Sequence, residues 1–188
     1  MEGLIYINEH WHGSNFLNTL FKCITFLGEA GIVWIVIGIA LLCFKKTRIS
    51  GIVLLVSLLI GFCINDFVLK NIIARPRPFA VNTDIADFLT SISMKRPSGF
   101  SMPSGHSYVA FNAATMITLF YKKKGAPVYV LSFLIAFSRI FLCVHYPTDV
   151  LVGSILGVLT AVAVFASYKA ILRKTKSVSR EKIRKNEV

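Results

Sequence analysis

FSRIFLCVHYPTDVLVG, residues 137–153, sets Arg139, His145 and Asp149 inside an otherwise apolar region. A helix starting near Pro147 would hold Asp149 in its first turn, with His145 just ahead of the N-terminus and Arg139 closing the helix before. A cation, an imidazole and a carboxylate flanked by lipid-compatible segments are costly to keep there. They read as a functional site.

Outward from this stretch the chain is a series of long apolar runs. Of its 188 residues 55% are hydrophobic, and the mean hydropathy is +0.66. Such runs, rather than amphipathic periodicity, point to an all-α polytopic membrane bundle of five or six helices in one domain. Spans are expected at residues 30–44, 50–69 (interrupted by Asn65 and Asp66), 104–121, 126–144 and 148–172. Residues 1–14 read as an interfacial segment. Ser14 or Asn15 is positioned to cap a helix through Leu27 that is too short to span alone, and Gly28 and Gly31 then bend the chain. His10 and His12, at i and i+2, do not share a helix face and make a poor metal site. The basic tail at residues 173–188 is expected to be cytoplasmic and disordered at its end.

The net charge of +12 does not point to nucleic acid, because the basic residues fall between apolar runs and in the tail, without an aromatic-interleaved groove. Lys45, Lys46 and Arg48, then Lys122–Lys124, then the tail all fall on one side when five spans are counted, which the positive-inside rule makes the cytoplasm. Lys70, Arg75, Arg77, Lys95 and Arg96 break that bias in the loop of residues 70–103, which is therefore expected outside and bound to something anionic. Its length favours a binding loop or lid. Cys23, Cys43, Cys63 and Cys143 lie singly, without metal-ligand spacing, and read as small packing residues. No basic segment precedes an apolar core at the N-terminus, so no cleavable signal peptide is expected.

Three clusters converge on the outer face. Lys70, Arg77 and Arg139 suit a tetrahedral oxyanion, Arg offering forked donors and Lys a point charge; interfacial snorkelling is the bland alternative. Pro103-Ser104-Gly105-His106 opens a helix. Ser104 can cap it, Gly105 admits a ligand close to the backbone, and His106 can protonate a leaving oxygen. His145 and Asp149 stand at i and i+4, so the carboxylate can hold one ring nitrogen and leave the other as nucleophile. Each cluster alone also fits an ordinary capped helix or a satisfied histidine. The ensemble does not.

Lys70-x6-Arg77-Pro78, Pro103-Ser104-Gly105-His106 and Ser138-Arg139-x5-His145-x3-Asp149 resemble, in order and spacing, the three signature motifs of the type 2 phosphatidic acid phosphatase superfamily. The resemblance covers residues 70–149. It implies an acid phosphatase/vanadium haloperoxidase-like helical core and a phosphatase that needs no metal or other cofactor. In that reading His145 attacks phosphorus to form a phosphohistidine and Asp149 orients it. His106 protonates the leaving oxygen, while Lys70, Arg77, Ser104, Gly105 and Arg139 hold the phosphoryl oxygens. Arg75 is not required by the motif. The expected substrate is a membrane lipid phosphate, undecaprenyl diphosphate first, with phosphatidylglycerophosphate or phosphatidate as alternatives. A lipid-binding or transport protein is the reading from another class.

Overall fold

The computed structural model describes residues 14–186, with side chains to residue 178; residues 1–13, with His10 and His12, lie outside the described residues. The described chain is helical throughout, without a strand. Ser14 accepts a hydrogen bond from the Leu17 amide and starts α1 (Asn15–Leu27), an amphipathic helix packed on the later helix Val128–Phe141 through Phe21, whose ring meets those of Phe137 and Phe141. Gly28 ends it. Ala30 (φ 47°) and Gly31 (φ 69°) then turn the chain through a tight elbow into α2 (Ile32–Leu42).

α3 (Arg48–Phe62) continues into a π-helical stretch, Cys63–Leu69, and a last turn, Lys70–Ile73. The expected loop at residues 70–103 is partly helical, with α4 (Pro78–Val81) and α5 (Thr83–Ser91), because Arg77 is extended ahead of Pro78 and Asn82 caps α5 at the Ile85 amide. α6 (Gly105–Tyr121) and α7 (Val128–Phe141) follow, then α8 (Pro147–Asn186). That last helix runs into the basic tail, since no Gly or Pro follows Gly157 to stop it.

Among the described residues three segments are long and apolar enough to cross a membrane: Asn15–Leu42, which includes the elbow, Arg48–Val81 and Pro147–Val178. The other two expected spans form helices of 17 and 14 residues, below the ~20 that a full crossing takes. Val36, Ile39, Ile52, Leu59, Val130, Phe133, Leu151, Ile155 and Leu159 face outward, as side chains in contact with lipid do. Of the cysteines only Cys143 packs inside. Cys23, Cys43 and Cys63 are exposed, which corrects their reading as packing residues.

Inside, Trp34, Leu54, Leu58, Ala110, Ala113, Met116, Ile135 and Ala161 form the main core. Polar side chains bridge helices at several levels: Ser57 donates to Asn112 at 2.8 Å, Tyr108 meets Thr160 at 2.5 Å, and Ser132 donates to the Ala110 carbonyl at 2.9 Å. In an apolar medium such links, with small residues at the crossings, hold helices together where water cannot drive them. The α6–α8 crossing is the closest. A Cβ built on Gly157 would stand 2.2 Å from the Tyr108 carbonyl oxygen, and one on Gly153 2.6 Å from that of Ser104. This crossing sets the start of α6 beside the start of α8, which is where the site forms.

Candidate active site

After α7 the chain curls through residues 142–146, with Cys143 at φ 52°. The Arg139 carbonyl accepts hydrogen bonds from both the Val144 and His145 amides, at 3.2 and 3.3 Å. The turn thus hangs His145 over the end of the helix that carries Arg139. Asp149, in the first turn of α8, is fully buried, and its Oδ2 accepts from the Tyr146 amide at 2.9 Å, a capping bond at the positive end of the helix.

His145 lies between this carboxylate and a guanidinium. Its Nδ1 is 3.5 Å from Asp149 Oδ2, and its Nε2 is 3.2 Å from Arg77 Nη1. An arginine can only donate, so Nε2 is the unprotonated nitrogen that accepts from it, and Nδ1 carries the proton facing Asp149. Burial, with Arg139 and Arg77 close by, holds the imidazole below the ordinary histidine pKa and therefore neutral, against the opposing pull of Asp149. A neutral imidazole with an unprotonated Nε2 and a carboxylate behind its other nitrogen has the form that nucleophilic catalysis requires.

Arg77 is locked in place: Nε donates to the Gly99 carbonyl at 2.9 Å, Nη2 to Ser98 at 3.1 Å and Nη1 to Val144 at 3.2 Å. It therefore fastens the loop before α6 to the turn that carries His145. Arg139, 2% exposed, donates through Nη1 to Thr25 Oγ1 at 2.5 Å, while its buried Nε has no hydrogen-bond partner. A buried donor left unused is expensive, and a phosphoryl oxygen is the acceptor that suits it.

The start of α6 joins the same space. Gly105 borders Lys70, since a Cβ built there would stand 3.4 Å from Lys70 Nζ. The Ser104 amide donates to the Asp149 carbonyl at 3.0 Å. Contrary to expectation the Ser104 side chain does not cap the helix. Its hydroxyl accepts from Ser107 at 3.1 Å, so the first amides of α6 have no side-chain acceptor and remain available to an anion. His106 extends toward the α1–α2 elbow. All eight residues picked out by sequence thus meet at one end of the bundle.

The cations are more nearly balanced than the sequence suggested. Lys70 is ion-paired with Asp66, one turn back on the π-helical stretch. Arg75 donates to Asp149 Oδ1 and to Thr148 Oγ1, both at 2.7 Å, and lies 3.9 Å over the Tyr146 ring. Glu29 stands 3.5 Å from His106 Nε2. Asp66 and Glu29 did signal themselves, as acidic residues inside apolar runs. Arg75 stood out in sequence only as one of the cations in the outer loop; its partner Asp149, 74 residues away, was not legible.

A helical bundle with segments able to cross a membrane, a buried histidine beside a carboxylate and donors suited to an oxyanion has the composition of a phosphoryl-transfer site. Residues 50–173 match the PAP2 superfamily, and the chain belongs to it. It is accordingly a phosphatase of lipid phosphate esters or diphosphates. The chain is 33% identical over 147 residues to an undecaprenyl-diphosphatase of Sulfolobus acidocaldarius, covering 76% of this chain and 68% of that protein. The crystal structure of Aquifex aeolicus LpxE superposes with a TM-score of 0.69 at 25% identity, covering 88% of this chain and 93% of that one. A transmembrane PAP2-type phosphatidylglycerolphosphate phosphatase from Bacillus subtilis gives 0.66 at 28% identity, over 90% and 86%.

Proposed function

We propose that this protein hydrolyses undecaprenyl diphosphate to undecaprenyl phosphate through a phosphohistidine on His145. The observation that carries the mechanism is the buried His145 imidazole, its unprotonated Nε2 accepting from Arg77 at 3.2 Å and its Nδ1 turned to Asp149 at 3.5 Å. His145 Nε2 attacks phosphorus and the bond to the leaving oxygen breaks as His106 gives that oxygen a proton. Asp149 balances the charge that grows on the His145 ring. Lys70, Arg77, Arg139, Ser104 and the Gly105 amide take up charge spread over the phosphoryl oxygens. His106, now neutral, takes a proton from the water that attacks the phosphohistidine, which restores both histidines. No step requires a metal ion.

The substrate is favoured by the likeness to the Sulfolobus undecaprenyl-diphosphatase, and the Bacillus structure makes phosphatidylglycerophosphate the second reading. The site end of the bundle faces outward in this account, because the basic ends of α2, α6 and α8 gather at the opposite end and belong in the cytoplasm. The test is phosphate release by purified protein in detergent, with undecaprenyl diphosphate, phosphatidylglycerophosphate, phosphatidate and a water-soluble ester, each beside His145→Ala. Preference for the polyprenyl diphosphate supports the proposal. Preference for phosphatidylglycerophosphate selects the second reading, and full activity in His145→Ala overturns the mechanism.

A further inference from the structure

The elbow between α1 and α2 is built against the ring of His106. A Cβ on Gly28 would fall 2.8 Å from His106 Cδ2 and 2.7 Å from Ile135 Cγ2, so only glycine lets the backbone come this close. Gly31 presses on Val109 one turn further along α6, where a Cβ would meet Cγ1 at 2.9 Å. Between them Ala30 takes the left-handed conformation, φ 47°, which a residue with a side chain rarely adopts without support from its surroundings. This strained turn delivers a carboxylate: Glu29 Oε2 stands 3.5 Å from His106 Nε2, a nitrogen buried without any hydrogen-bond partner. The other charged or titratable groups within reach of that ring are Arg139, Lys70, Arg77 and His145. Glu29 is the acidic group the structure sets against it.

We propose that Glu29 is a positioning residue for the acid step: it accepts from His106 Nε2, leaves Nδ1 to face the leaving oxygen, and supplies the countercharge for the imidazolium. Glu29 never touches phosphate and exchanges no proton with substrate. It fixes the ring's rotation and tautomer from behind, as Asp149 does for His145, so each histidine has its own carboxylate on a different element. The inference rests on His106 being the general acid. Its site matches no part of the three sequence motifs, because the elbow precedes them by about 40 residues in the chain.

The experiment compares two leaving groups. A short-chain phosphatidate departs as an alkoxide that needs a proton, whereas p-nitrophenyl phosphate departs as a phenolate that does not. Glu29 is 60% exposed, so Glu29→Gln alters charge with little strain on the fold. Glu29→Gln should lower kcat/KM for the phosphatidate by about tenfold or more, within the range general acid catalysis supplies, and for p-nitrophenyl phosphate by no more than about twofold. In a His106→Ala background, Glu29→Gln should cost nothing further on either substrate. Equal losses on both substrates, or none, overturn the proposal, as does an added loss in the His106→Ala background. If His106→Ala is itself indifferent to the leaving group, the acid assignment fails and takes this inference with it. A leaving-group-dependent His106→Ala beside a flat Glu29→Gln overturns the inference alone.

Discussion

Arg75→Met keeps most of the side-chain stem and removes the donors that hold Asp149. In the native site Asp149 Oδ1 accepts from Arg75 Nη1 at 2.7 Å, and Asp149 is fully buried. Stranding one partner of a fully buried pair costs about 3–5 kcal/mol. Arg75 is 33% exposed, however, so water refills part of its place, and the Tyr146 amide still serves Oδ2. A loss of about 2 kcal/mol follows, or roughly thirtyfold, within the range for a hydrogen bond to a charged group and below that for a fully buried pair. Because Asp149 acts on the charge that His145 gains as it attacks, the loss should fall on kcat with KM little changed. Arg75→Lys should sit between, keeping a charge but losing the planar guanidinium that lies over the Tyr146 ring. Steady-state phosphate release in detergent reads both numbers. Native kcat with a raised KM would refute the reasoning, since Arg75 would then be contacting phosphate rather than supporting Asp149.

Arg77→Lys should lose more than about a hundredfold in kcat/KM, because a point charge cannot reach the Ser98, Gly99 and Val144 carbonyls together; activity within threefold of native would contradict that. Gly157→Ala places a methyl 2.2 Å from the Tyr108 carbonyl oxygen and should cost about 3 kcal/mol, seen as a lowered thermal midpoint in detergent with the sedimentation profile checked for intact protein. An unchanged midpoint would mean that α6 and α8 separate freely. His145 is neutral when folded, with its pKa lowered from 6.5 to about 3, so between those values the unfolded chain binds the extra proton. Stability should therefore fall as pH drops through that window, and the slope should shrink in His145→Ala; a parallel slope in the variant would remove His145 as its source. Vanadate should inhibit and chelators should not, since the phosphate is held by side-chain and backbone donors. Activity lost in chelator and restored by a divalent ion would reverse that.

The sequence carries the chemistry of the site far better than its supports. Lys70, Arg77, His106, Arg139, His145 and Asp149 were legible because charged and titratable residues stand out against apolar runs and because their spacings fall in three fixed motifs. Fold class was legible for the same reason. What escaped depends on contacts between distant elements. Nothing near Arg75 announces Asp149, and nothing near Ser104 announces that Ser107 takes up its hydroxyl and leaves the α6 amides open. The elbow was read as a bend from its glycines, but only the fold shows it lying against His106. The length of the last helix was underread, because charge marked residue 172 as its end, whereas the absence of any helix breaker after Gly157 carries α8 on to Asn186.

The most direct test of the mechanism is chemical trapping of the enzyme during turnover. Labelled undecaprenyl diphosphate is mixed with purified protein, quenched in base within the first turnover, digested and mapped by mass spectrometry. The account predicts a base-stable, acid-labile phosphoryl group on His145, absent in His145→Ala and accumulating in His106→Ala when a good leaving group is supplied. Turnover with no phosphorylated histidine at any quench time, or with label on another residue, would contradict it.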